Sequence, residues 1–159
     1  MKVIVTCGPS YEPIDQVRRL TNFSTGELGV HLSNQLARAG FEVFCIKGSG
    51  ATHPGPCEQC HLSLFDTNDD LLELLRQTSE AHEIAAVFHV AALCDYKVRR
   101  VEDQYGQNCD SPKIASRSGA LPCSAIQANS EKAGNFLIGG SLISTVRREG
   151  PSLPDNVSE

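Results

Sequence analysis

Apolar residues along this chain gather in four short runs separated by polar, glycine- and proline-containing stretches, with leucines at helical spacing between some of them. The amino-terminal run KVIVTCG is almost continuously apolar and ends at Gly8, as expected of a parallel strand covered on both faces. Leu28, Leu32 and Leu36 then recur every four residues, Ser24 and Glu27 stand at capping-box spacing, and Gly40 supplies a stop after Ala39. A helix is therefore predicted to begin near Ser24. EVFCIKG repeats the strand pattern, and HLSLFD reads as a third strand. Thr67 with Asp70 offers a second capping box ahead of the leucine-rich helix LLELLRQTSEAHE, and AAVFHVAAL is the fourth strand.

Strands alternating with helices in this order predict an α/β fold, a Rossmann-like three-layer domain with a mainly parallel sheet. SGATHPGPCEQC, rich in Gly and Pro, is a loop by composition. Beyond Val98 the pattern weakens, and from Leu121 to Glu159 neither helical nor strand period persists. The expected organisation is one domain over residues 1–120 and a poorly ordered tail over 121–159, with the sheet lacking its last strands.

Composition narrows the class. At 159 residues, 40% hydrophobic and 21% charged, the chain fits one soluble globular domain. A net charge of −5 argues against bulk attraction to nucleic acid or anionic membranes and leaves small molecules as the expected partners. No apolar run approaches the roughly 20 residues that span a bilayer, and the amino terminus is a strand pattern without a signal region, so a cytoplasmic location is expected. Seven cysteines are many, yet Cys7, Cys45 and Cys94 lie within apolar runs, where a free thiol acts as a small hydrophobe. No disulfide framework is expected in a reducing compartment.

Candidate chemistry concentrates after the first strand. The loop lacks the G-x-G-x-x-G pattern of dinucleotide-binding domains, since Gly8 is followed by Pro9 and Ser10 and the next glycine is Gly26. The other anion site on offer is the amino end of the first helix. Its free N–H groups attract phosphate, Gly26 permits close approach, and Asn22 and Ser24 add side-chain hydrogen bonds. Against this, Ser24 reads equally as a helix cap, Gly8 as a turn and Asn22 as an Asx-type turn. Glu12 and Asp15 place two carboxylates beside the presumed anion site, a costly arrangement unless Arg18, Arg19 or a metal ion balances them. His53, Cys57, Cys60 and His61 form the one metal-like cluster. It lacks a second well-spaced half, and a surface loop is the favoured reading, with no metal site expected. His31 and His89, within apolar periodic segments, are expected to be partly buried structural residues.

The stretch VIVTCGPSYEPIDQVRRLTNFSTGELG, Val3 to Gly29, resembles the opening motif of the phosphopantothenoylcysteine synthetase family, the coenzyme A pathway ligases with a glycine loop, EPID, an arginine and TN-S-[ST]-G. HVAALCDYKV resembles that family's A-A-[VL]-x-D-[YF] motif, and SPKIASRSG its K-I segment on a flexible flap. The resemblance implies that Gly8, Pro9, Ser10, Ser24, Thr25 and Gly26 enclose nucleotide phosphates, with Glu12, Asp15 and Arg18 in support. It implies that Asn22 acts on an acyl-nucleotide intermediate and that Ala91 and Ala92 admit the base. Asp95 hydrogen-bonds the base or ribose, with Tyr96 beside it, and Lys113 stabilises charge developing on acyl and phosphoryl oxygens. The implied reaction is an amide ligation of 4'-phosphopantothenate with cysteine, driven by CTP or ATP with Mg2+ and without a flavin. The resemblance also admits a homodimer.

Family members continue past the lysine flap with further strands and helices, which this chain does not visibly do. Ile138 to Val146 with the next arginine can be back-translated so that a shifted frame reads WWKFDLDGE, similar to a W-K-[YF]-[DE]-x-D-G string in some relatives. An out-of-frame tail from about Leu121 is therefore an expectation. Two rival readings stand beside the ligase: a non-catalytic nucleotide-binding remnant of the same family, and an NAD(P)-binding reductase or epimerase. The last needs a dinucleotide fingerprint and a Tyr-x-x-x-Lys pair, and the sequence has neither.

Overall fold

The computed structural model of the chain describes residues 1–98 and 101, and the backbone of 126–128, 137–138 and 141–142. Lys113 and most of the stretch after residue 120 lie outside the described residues, as do the out-of-frame reading and the domain boundary.

Strand β1 (Lys2–Cys7) is followed by the short strands β2 (Tyr11–Pro13) and β3 (Arg19–Thr21), then by helix α1 (Glu27–Arg38). Next come β4 (Glu42–Gly48), β5 (Cys60–Phe65), helix α2 (Asn68–Ala81), β6 (Ile84–His89) and β7 (Tyr96–Val98). Strands β1, β4, β5 and β6 form one sheet in the order β5-β4-β1-β6, with every neighbouring pair parallel. This is the Rossmann-like arrangement expected from the alternating pattern.

The alternation of side chains along β1 explains the layers. Val3 and Val5 point to one face, where they pack with Val43 and with Leu32 and Leu36 of α1. Ile4 points to the other and packs with Ile46, Phe65 and Leu71, against Leu74 and Leu75 of α2. One helix thus covers each face. Val3, Ile4, Val5, Val43 and Ile46 are all 2% exposed or less, and each such side chain contributes about 1.5–3 kcal/mol by leaving water.

Helix α2 starts at the expected capping box. Asp70 N–H donates to Thr67 Oγ1 (3.1 Å) and Thr67 N–H to Asp70 Oδ2 (2.9 Å), and the first of these partners to hold the Asp70 carboxyl below its usual pKa is the Thr67 backbone. Helix α1 departs from expectation. It starts at Glu27, and its N-cap is Gly26 in the left-handed region at φ 77°, with no side-chain cap. Ser24 is therefore not the cap. The helix's inward face runs through Gly29, Val30 and Ser33, and Leu28 is 69% exposed. His31 is also exposed, contrary to the expectation of partial burial, whereas His89 is exposed on one side and buried on the other. His89 Nδ1 still contacts Thr6 Oγ1 at 2.7 Å, and desolvation on that side lowers its pKa.

The fourth apolar run ends as a regular strand at His89, earlier than AAVFHVAAL suggests. The reason lies in its neighbour: Gly8, at φ 79°, turns the chain after β1. Pairing continues irregularly beyond that turn, through Val90 N–H to the Thr6 carbonyl (3.0 Å) and Ala92 N–H to the Gly8 carbonyl (2.9 Å). Past Val98, the backbone of β8 (Ile126–Ala128) runs antiparallel to β7, and β9 (Leu137–Ile138) to β10 (Ser141–Leu142), in a stretch where the sequence period assigns no element. Among the described residues no helix is long and apolar enough to cross a membrane.

Candidate functional site: a cleft at the carboxyl ends of the strands

Because β1, β4, β5 and β6 are parallel, the segments that follow them emerge at one edge of the sheet, the position where open α/β sheets hold ligands. Hydrogen bonds tie these segments together. Ser10 N–H donates to the Ala92 carbonyl (3.2 Å), Tyr11 N–H to the Asp66 carbonyl (2.8 Å) and Ser49 N–H to the Phe65 carbonyl (2.9 Å). Asn22 Nδ2 donates to the Leu93 carbonyl at 2.5 Å, joining the TNFSTG segment to the one after β6.

An open cleft of about 380 Å³ lies here, lined by residues that include Pro9, Asn22 and Ser24, with Tyr11, Arg19 and Thr52. Of the residues singled out in the sequence, those three meet on its wall. Tyr11 was not singled out, and Arg19 was named only as a counter-charge for Glu12 and Asp15. Tyr11 and Arg19 lie on one face of the β2–β3 hairpin, where the Arg19 guanidinium stacks 4.3 Å from the Tyr11 ring centroid.

EPID is thus half strand and half turn, with Glu12 and Pro13 in β2 and Ile14 and Asp15 in the turn after it, and neither carboxylate lines the cleft. Glu12 pairs with Leu20 across the hairpin and is 5% exposed. Asp15 Oδ1 accepts from the N–H groups of Val17 (2.9 Å) and Arg18 (2.7 Å), while Oδ2 meets Arg18 Nη1 at 3.2 Å. With its side chain 1% exposed, Asp15 closes the hairpin turn, and Arg18 is the arginine that balances it.

Burial raises the Glu12 pKa, opposed by Lys97 and reinforced by Asp69 and Asp70. Protonation is then easier in the folded chain, so the Glu12 contribution to stability is complete below its unfolded pKa and is lost as pH rises through the folded value. Glu12→Gln is expected to melt above the wild type at pH 7, with the gap shrinking toward pH 4. Thermal denaturation at the two pH values checks this, and a gap independent of pH would contradict it.

Ser10 needs a correction. It is fully buried, and its Oγ accepts from the Cys94 N–H at 2.7 Å, so it fastens two segments together and does not face the cleft. Gly8 and Gly26 are closely packed as well. A Cβ on Gly8 would lie 2.8 Å from the Ala51 Cβ, and one on Gly26 would lie 2.9 Å from the same atom. The space a side chain would need at these glycines is taken by Ala51. Their left-handed φ and their mutual contact let three segments meet at one point.

At the amino end of α1 the N-cap residue supplies no side-chain partner for the backbone N–H groups. Thr25 Oγ1 accepts from Glu27 N–H at 3.3 Å. Ala91 and Ala92 are partly buried and continue the pairing of β1 with β6, whereas Asp95 is exposed. Neither alanine nor Asp95 lines the cleft. Among the described residues no three His, Cys, Asp or Glu side chains are arranged to hold a metal ion.

Fold and cleft first define a class: three-layer α/β proteins whose ligand site is built from the loops after parallel strands, without a dinucleotide fingerprint. Residues 1–115 match the family described as DNA/pantothenate metabolism flavoprotein C-terminal domain, and the chain belongs to that family. It is 28% identical over 103 residues to the coenzyme A biosynthesis bifunctional protein CoaBC of Vibrio parahaemolyticus, an alignment covering 64% of this chain and 25% of that protein. The crystal structure of the C-terminal domain of a CoaBC protein superposes with a TM-score of 0.55 at 30% identity, covering 62% of this chain and 48% of that one. The DNA/pantothenate metabolism flavoprotein from Streptococcus pneumoniae also gives 0.55, at 34% identity, over 61% of this chain and 42% of its own. The chain thus spans about a quarter of the curated relative and under half of the solved chains.

Proposed function

We propose that this domain acts in coenzyme A biosynthesis as part of a ligase joining 4'-phosphopantothenate to cysteine, with residues 1–120 as its nucleotide-binding unit. The observation that carries the reading is the cleft that brings Asn22 and Ser24 together beside the uncapped amino end of α1, in a chain of this family. In the proposed reaction a carboxylate oxygen of 4'-phosphopantothenate attacks the α-phosphorus of CTP or ATP, and the bond to pyrophosphate breaks. The cysteine amine then attacks the acyl carbon, the nucleoside monophosphate leaves with the carboxylate oxygen, and the amine proton passes to solvent.

The backbone N–H groups of the first turn of α1, with Ser24 and Thr25, suit the phosphates: the donors are fixed in place and the helix dipole favours negative charge. Asn22 is assigned to the acyl-nucleotide intermediate and Lys113 to the charge that develops beside it. Ala91, Ala92 and Asp95 are assigned to the base. None of the residues lining the cleft is a carboxylate, so this lining supplies no side-chain carboxylate for a magnesium ion and no step is assigned to the ion.

The test is pyrophosphate release by the full chain from CTP or ATP. Release that depends on 4'-phosphopantothenate, with amide product once cysteine is added, is expected. Nucleotide binding without turnover would replace the ligase by a binding remnant, and neither binding nor turnover would remove both.

A further inference from the structure

Three thiols from three segments converge beneath α1: Cys7 at the end of β1, Cys45 within β4, and Cys57 from the loop between β4 and β5. Cys45 Sγ lies 4.0 Å from Cys7 Sγ and 3.3 Å from Cys57 Sγ. Cys7 and Cys45 are fully buried, and Cys57 is half-buried. The sequence spacing C-x-x-C suggests a different pairing, Cys57 with Cys60. The turn between them carries Gln59 at φ 55°, and the Cys60 thiol donates to the Glu58 carbonyl at 3.2 Å.

Cys57 is also held in position from both sides. Asn34 of α1 donates through Nδ2 to the Pro56 carbonyl (3.0 Å) and accepts through Oδ1 from the Glu58 N–H (2.8 Å). Arg38 meets the Glu58 carboxylate at 3.1 Å. These contacts press the loop against α1 with the Cys57 sulfur turned inward onto Cys45.

We propose that Cys45 and Cys57 are a thiol-oxidation site, forming a reversible disulfide that fastens the β4–β5 loop to β4 when a peroxide is present. From a separation of 3.3 Å the sulfurs must close by about 1.3 Å to bond, a shift within reach of a loop residue facing a fixed strand. Cys57 is the member of the pair open to solvent. Its thiolate attacks one peroxide oxygen, the O–O bond breaks, and hydroxide leaves. The Cys45 sulfur then attacks the Cys57 sulfur, the S–O bond breaks, and the Cys45 proton leaves with the departing hydroxide as water. In sum, two thiols and one peroxide become a disulfide and two waters.

Desolvation, then contact with Cys45, pushes the Cys57 thiol up to about 12, and Cys45 is raised as well, by its bond to Cys7 first. The thiolate is scarce at neutral pH, so the reaction is slow there and quickens about tenfold per pH unit. The same loop carries Thr52 on the cleft wall and Ala51 against Gly8 and Gly26, which links the thiol state to the cleft whatever ligand it takes.

The test treats the full chain with hydrogen peroxide at pH 7, 8 and 9, blocks remaining thiols, and maps the digested peptides by mass spectrometry. A loss of 2 Da with a Cys45–Cys57 cross-linked peptide, reversed by dithiothreitol, is expected. Its rate should rise about tenfold per pH unit. Cys60→Ser should keep the cross-link and Cys57→Ser should lose it, with circular dichroism showing both variants folded before oxidation. A Cys57–Cys60 or Cys7–Cys45 peptide as the product, oxygen adducts without a cross-link, or an unchanged mass each overturns the proposal.

Discussion

Replacing Asn22 with alanine is expected to lower formation of the amide product by about 10²–10³-fold, the usual effect of removing one pre-positioned hydrogen-bonding group from a reacting centre. The size follows from how the amide is held. Asn22 lines the cleft, and its Nδ2 is spent on the Leu93 carbonyl at 2.5 Å, so the group is locked between two segments before any ligand arrives. Losing that single hydrogen bond costs about 1 kcal/mol of stability. Thermal unfolding measured alongside turnover therefore separates a catalytic loss from a folding loss. Nucleotide affinity should change far less than turnover, because phosphate binding is assigned to the helix end. An Asn22→Ala variant with full turnover would take the role away from this residue.

The largest effect on stability is expected at Gly29, in the first turns of α1. A Cβ there would sit 2.1 Å from the Cys7 Cβ and 3.1 Å from its Sγ. The obstructing atom lies next to the backbone of the central strand and cannot swing aside, so the helix itself must lift. Overpacking of this kind costs about 1–3 kcal/mol, and Gly29→Ala should fall at the upper end. For a domain near 100 residues each kcal/mol lowers Tm by roughly 4–8 °C, well within the reach of calorimetry. Gly40→Ala is the control. Its φ of 86° suits glycine and strains alanine, but nothing lies within 4 Å of its Cβ position, so the cost should stay near that of the backbone alone, about 1–2 kcal/mol. Equal losses at the two sites would contradict the packing account.

What the sequence disclosed depended on how local each signal was. The four sheet strands were legible because their apolar runs persist over six or seven residues, and the start of α2 because Thr67 and Asp70 bond to each other three residues apart. The β2–β3 hairpin was not, since two strands of three residues are too short for alternation to show. Tyr11–Glu12–Pro13 against Arg19–Leu20–Thr21, with Asp15 at the turn, was the signal available. Missing it also hid Tyr11 and Arg19 as parts of the cleft and made Glu12 and Asp15 look like site carboxylates. Thr52 reaches the cleft only because β4 ends at the same edge as β1, a fact of topology that no local pattern records. Ser10, Gly8 and Gly26 make structural contacts that their residue types do not announce. Their residue types suit a phosphate loop, yet in the fold they serve one another, through the Cys94 amide and the Ala51 methyl.

Pairing in the sheet also sets when this protein can fold. β1 precedes both of its partners in the chain: these are β4, where Lys2 meets Glu42, and β6, where the contact of Thr6 with His89 joins positions 83 residues apart. No neighbour in sequence can complete it. Parallel, long-range pairing of this kind slows folding, because loop closure must come before the contacts that reward it. A growing chain therefore carries its most apolar strand unpaired while α1 and β4 are made, and leaves one edge of that strand open until residue 89 has emerged from the ribosome. Over that interval the VIVTC segment exposes apolar side chains that the finished sheet buries.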